Sequence, residues 1–168
     1  MAITAREFRF ASDSVELWDM VSVVKLSRYH SAAMPTHVAC INGQMVGAIA
    51  LVREQFLADS KSMFWLGVAG LWIESKEQIL IAKPEMLAEF LLTAARCFWA
   101  GEPRENGTLV MGIAMPVGRH FQREIAAALA SAPLWFFRKG ELVSDEFDAD
   151  ATWHFIELDF DSKTMGGS

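Results

Sequence analysis

Two apolar runs joined by Asn42-Gly43 constrain this chain more than any other feature of it. His37-Val38-Ala39-Cys40-Ile41 precedes the pair, and Met45-Val46-Gly47-Ala48-Ile49-Ala50-Leu51-Val52 follows it. A type I′ turn needs positive φ at both central residues, which Asn-Gly tolerates better than other pairs, so the spacing predicts an antiparallel hairpin. Neither run alternates with polar residues, and both faces of the hairpin are therefore expected to be covered. Phe64 to Ile73 is another apolar run that reads as a buried strand. Its Gly67 and Gly70 point to a bulge or a close approach of backbone.

A sheet covered on two sides needs helices on both, and the flanking sequence offers them. Ile3 to Ala11 reads as an edge strand in which Phe8 and Phe10 alternate with Glu7 and Arg9. Asp13 and Glu16 have capping-box spacing ahead of Leu17, Trp18, Val21 and Val24, which predicts a helix over Ser14 to Leu26. His30 to Thr36 reads as a loop or short helix ended by Pro35. Pro84 opens a second helix, with Glu85 in its first turn and Leu87, Phe90, Leu91, Ala94 and Phe98 in one apolar stripe. A polar loop over Gly101 to Gly107 leads to a strand, Thr108 to Met115, closed by Pro116. A helix over Arg119 to Ser131 and strands over Leu134 to Arg138 and Thr152 to Phe160 complete the order. The expectation is an α/β domain over residues 1–162, with a mixed central sheet and helices on both faces, followed by a flexible tail over 163–168.

Charge and composition exclude several function classes. The 168 residues hold 15 Lys+Arg against 21 Asp+Glu, a net charge of −6, so the basic footprint of a general nucleic-acid binder is missing. The longest apolar stretch, Met63 to Ile73, is shorter than the roughly 18 residues a membrane helix needs and is interrupted by two glycines. No basic-then-apolar leader opens the chain, and Cys40 and Cys97 read as buried free thiols of a reducing compartment. The four histidines, His30, His37, His120 and His154, have no zinc-ligand spacing, and neither a nucleophile elbow nor a Gly-Lys-Ser/Thr phosphate loop is present. The acidic stretch from Glu141 to Asp150 reads as a solvated loop.

The element order resembles the GCN5-related N-acetyltransferases, from Phe8 to Phe160. In that family a helix leads to a hairpin, a long bulged strand and a helix that carries the acetyl-CoA pyrophosphate. The resemblance implies an acyl-CoA N-acyltransferase-like fold and places the cofactor loop, Gln/Arg-x-x-Gly-x-Gly/Ala, at Gln78-Ile79-Leu80-Ile81-Ala82-Lys83. Small residues there let backbone N–H groups close on the phosphates. Gln78 fits the first position, but Ile81 replaces the first glycine and Lys83 the second small residue. Pro84 removes one further donor. The two bulky side chains are expected to fill the volume the phosphates need. The tyrosine that many members use as an acid has no counterpart either. The single tyrosine, Tyr29, lies elsewhere, and His120 is the one titratable residue at the matching helix start that could serve as an acid or base.

These substitutions predict no catalytic residue and no cofactor. The favoured expectation is a non-catalytic interaction or structural protein on a degenerate acetyltransferase-like fold. It resembles the small internal virion proteins of short-tailed bacteriophages and would be cytoplasmic or inside a virion. The expected partner is a protein or a second copy, not nucleic acid or membrane. Six Trp, nine Met and a mean hydropathy of +0.22 suggest an apolar surface, with Trp99, Trp135 and Phe137 as candidates. The alternatives are a divergent acetyl-CoA-dependent N-acetyltransferase and a small acidic secretion chaperone.

Overall fold

The computed structural model describes residues 2–25, 34–58, 61–100, 110–117, 121–130, 135–138 and 152–158. The hairpin at its centre joins β3 (His37–Ile41) to β4 (Gln44–Ala58). Asn42 and Gly43 adopt φ of 53° and 79°, as a type I′ turn requires. β4 then pairs along its length with β5 (Lys61–Glu74). β3 and residues 45–51 of β4 are buried on both faces, as their unbroken apolar character predicts. Ala39, Ile41, Val46, Ile49 and Leu51 join the main core, whereas Val38, Cys40, Met45 and Ala48 form a smaller cluster. The expected irregularity in β5 is present. Ala50 faces Gly70 but Leu51 faces Val68, so Ala69 is extra. At Gly70, an added Cβ would run into the indole of Trp72, which folds back over the strand.

Two helical segments follow β5: the short α2 (Ile79–Ala82) and α3 (Pro84–Ala100). Pro84 is the first residue of α3, and Leu87, Phe90, Leu91 and Ala94 are fully buried. This stripe packs on the main-core face of the sheet together with Ile125 of α4 (Gln122–Ala130). On the opposite face, Leu17 from α1 (Phe10–Trp18) packs against the smaller cluster, so helices cover both faces. The remaining strands are β1 (Ile3–Glu7), β2 (Met20–Lys25), β6 (Val110–Val117), β7 (Trp135–Arg138) and β8 (Thr152–Leu158). Among the described residues they make one mixed sheet of order β1-β3-β4-β5-β6-β8-β7, with β2 off this path on β5. β5 and β6 are parallel and the other pairs antiparallel.

Three expectations need correction. Phe10 begins α1 rather than continuing the first strand. The helix expected over Ser14 to Leu26 ends at Trp18, and Met20–Lys25 is the strand β2. Val21 and Val24 satisfy helical spacing, yet they and Val23 have branched side chains that favour an extended backbone, and β5 offers an edge to pair with. Pro116 lies inside β6 instead of closing it. β6 pairs with β5 only as far as Ala114, so by Pro116 one edge of the strand has no ladder with β5 for a missing N–H to break.

Candidate functional site

Ligands of open α/β sheets bind outside the carboxyl ends of parallel strands, which directs attention to the ends of β5 and β6. β5 contacts β6 between Phe64 and Gly67, after which the pairing stops. The same edge of β5 is then taken by β2, because the other edge belongs to β4 throughout. Met20 pairs with Glu74, Val21 with Ile73, and Lys25 with Gly70. Val23 is buried in the main core, and β2 also touches β6. The wedge between the diverging strands is thus filled by the chain's own backbone.

The loop leaving β5 is the segment matched to the cofactor motif. Gln78 precedes α2 in the left-handed conformation, with φ 48°. The N–H groups of Lys76, Glu77 and Ile79 point inward and donate to the carboxylate of Glu74 at 2.9, 3.1 and 3.0 Å. Converging N–H groups of this kind make an anion nest. Here the anion is a side chain of the same loop. Burial alone would raise the Glu74 pKa, but the donors from Glu77, Ile79, Lys76 and Gln78 outweigh it and hold the carboxyl below its ordinary value. Ile81 does not occupy the anion's place, as expected from its size; it packs against the main core. Lys83 is exposed at the junction of α2 and α3. A cleft of about 350 Å³ lies alongside, lined by Asn42, Gln44, Met45, Glu74, Lys76 and Glu77 among others. Its walls carry two carboxylates and one ammonium, a poor setting for a pyrophosphate.

A second group of chemistry-bearing residues was not legible as a site in the sequence. His37 is 4% exposed and faces Glu7 in the β1–β3 register. Its Nδ1 lies 2.9 Å from Thr36 Oγ1. That hydroxyl donates to the Ile49 carbonyl and accepts from the Leu51 N–H. Burial holds the imidazole below its ordinary value, against the pull of Glu7. Burial also pushes the Cys97 thiol up, and the charge of Glu7 adds to the shift. A thiol whose pKa is raised in this way is not an activated nucleophile. Cys40 and Cys97 are both free, with Cys40 buried and Cys97 only partly so.

Trp99 lies in the last turn of α3, and Trp135 and Phe137 lie two apart on β7, but their side chains are outside the described residues, as are His120, Tyr29 and the acidic stretch. Among the described residues, the exposed large apolar side chains are Phe10, Val15, Trp18 and Met34, three of them on α1. No group of three metal-ligating side chains occurs among the described residues, and no helix there is long and apolar enough to cross a membrane. No protein-family model matches the chain, and no curated protein is similar to it in sequence.

Proposed function

We propose that this chain is a non-catalytic interaction or structural protein on an acetyltransferase-like scaffold whose cofactor site has been taken over by the chain itself. The element order supports the scaffold. With β2 set aside, a hairpin leads to a long bulged strand, then to a helix that crosses to a parallel neighbour, then to a closing helix and two strands. One observation carries the loss of chemistry: in the loop matched to the cofactor motif, the N–H groups of Ile81, Ala82 and Lys83 are spent on the carbonyls of Gln78 and Ile79, and that of Ile79 on the Glu74 carboxylate. A phosphate arriving there would lie beside the Glu74 carboxylate, and like charges disfavour that. β2 in the wedge adds a steric reason, since a ligand there would have to break its ladder with β5. A small internal virion protein fits this reading, as it needs a shape and a surface but no cofactor.

Isothermal calorimetry with acetyl-CoA tests the proposal. Wild type is expected to give no saturable heat at micromolar concentrations. Glu74→Ala is expected to stay silent as well, because β2 still fills the wedge. Micromolar binding by wild type would overturn the reading in favour of a divergent N-acetyltransferase.

A further inference from the structure

The turn at the centre of the sheet holds a reactive pair. The side-chain amide carbon of an asparagine can be attacked by the backbone nitrogen of the next residue, and glycine hinders that attack least because it has no Cβ. Asn42 and Gly43 are such a pair. Both are exposed, and an added Cβ at Gly43 would meet nothing within 4 Å. Among the described residues no hydrogen bond engages the Asn42 side chain or the Gly43 N–H. Neither reactant is therefore held back by a partner. The backbone holds them apart instead. Asn42 has φ 53°, in the left-handed region, where ψ centres on about +47°. At that ψ the Cβ of Asn42 lies nearly opposite the Gly43 nitrogen across the Cα–C bond, and the side-chain carbon cannot reach it. Bringing the two to the same side means leaving the turn conformation. The pairing of Ile41 with Gln44 resists that, as does the burial of Ile41 and Met45, each 6% exposed.

We propose that Asn42 is a latent deamidation site, shut by the type I′ turn and open only when the hairpin loosens, whose isoaspartyl product no longer fits that turn. In the reaction the Gly43 nitrogen bonds to Asn42 Cγ and the Cγ–Nδ2 bond breaks. Nδ2 leaves as ammonia, taking the Gly43 proton. Water then opens the cyclic imide. Addition at Cγ gives an aspartate at position 42. Addition at the main-chain carbonyl of residue 42 gives isoaspartate, in which the backbone runs through the side chain and gains a methylene. The balance is water in and ammonia out, with no oxidant, reductant or cofactor. A two-residue loop fixes the register of the strands it joins. An extra backbone atom there breaks the match between Ile41 and Gln44, at the head of strands whose residues 45–51 and 37–41 are buried on both faces. A chain that has opened and reacted therefore does not regain its first stability. The pair is a chemical record of unfolding, independent of any ligand or partner.

The test incubates the full chain in mildly alkaline buffer, folded and in urea, and follows position 42 by peptide mapping with mass spectrometry. Mapping is needed because Asn106-Gly107, outside the described residues, is a second pair of the same chemistry. Conversion at Asn42 is expected in urea. It should be slower by about tenfold or more in the folded chain, in proportion to the fraction of chains with the turn open. The isoaspartyl form, separated by chromatography after refolding, should melt several degrees below wild type or fail to refold. Asn42→Asp adds the same charge to the cleft beside Glu74 and Glu77 on an unaltered backbone. Asp-Gly also suits this turn, so that variant should melt close to wild type. Equal rates in the folded chain and in urea would overturn the shut turn, and no conversion in urea would remove the site. An isoaspartyl form that melts with wild type, or an Asn42→Asp variant that melts as low as the isoaspartyl form, would overturn the backbone argument.

Discussion

Gly43 shows how a single position can carry backbone conformation and little else. Its φ is 79°, and an added Cβ would meet nothing within 4 Å. Any cost of substitution there is torsional rather than steric crowding by neighbours. Gly43→Val is expected to cost about 1–2 kcal/mol or more, because a branched residue resists the left-handed region. At roughly 2–4 °C per kcal/mol for a chain of this size, thermal melts should show a drop of several degrees. Gly43→Asn should lose much less. Equal melting temperatures for the Val variant and wild type would remove the turn from the folding argument. Gly47 presents the opposite case. A Cβ there would overlap Leu80 and approach the Trp72 carbonyl at 3.0 Å, so its small size keeps α2 close to the sheet.

β2 shows how one element decides what a site can do. Paired to β5 over Met20 to Lys25, it converts an open edge into a closed one, and Val23 is 5% exposed in the main core. Val23→Ala should cost about 2 kcal/mol, as the loss of two buried methyl groups implies. Val23→Asp should cost about 3–5 kcal/mol, because it places an unpaired charge in the core. Expelling β2 also uncovers part of β5, and an uncovered strand edge invites association between chains. Urea denaturation followed by light scattering checks both effects. A Val23→Asp variant with wild-type midpoint and no scattering would mean that β2 is not integral to the sheet.

Taken together, the titrating groups make the molecule sensitive to acid in two ranges. His37 is held neutral by burial, with a folded pKa below the ordinary value of about 6.5. The unfolded chain binds that proton first, so stability present above pH 6.5 declines as pH falls below it. Asp13 and Glu74 are also depressed, from ordinary values of 3.8 and 4.5, so their contributions are present above those values and lost as pH falls further. Denaturant midpoints measured across this range should show an upper decline and then a steeper lower one. His37→Gln should abolish the upper decline and keep the lower. Superimposable profiles for the variant and wild type would exclude His37 as the upper group. Glu7 faces His37 across β1 and β3 and opposes the depression, so Glu7→Gln should leave the onset of the upper decline in place and carry the decline further down in pH, enlarging it.

Much of the architecture is written locally. Asn42-Gly43 encodes its own turn, the unbroken apolar runs around it encode burial on both faces, and Pro84 with the stripe from Leu87 to Ala94 encodes the start and inner side of α3. These features depend on backbone preference and side-chain period, which act over a few residues. The features that decide function are pairings between distant residues. Met20 meets Glu74 and closes the wedge, Arg6 meets Asp13 and turns Trp18 outward, and Glu7, His37 and Cys97 come into electrostatic reach only when β1, β3 and α3 assemble. The helical spacing of Leu17, Trp18, Val21 and Val24 was compatible with two structures until β5 offered an edge. Glu74 lay beside the loop in the chain, yet its capture of the N–H groups required the left-handed turn at Gln78 that aims them at it. Local preference limits which elements form, and tertiary contact alone selects which edge is covered, which charge is buried and which side chains stay exposed.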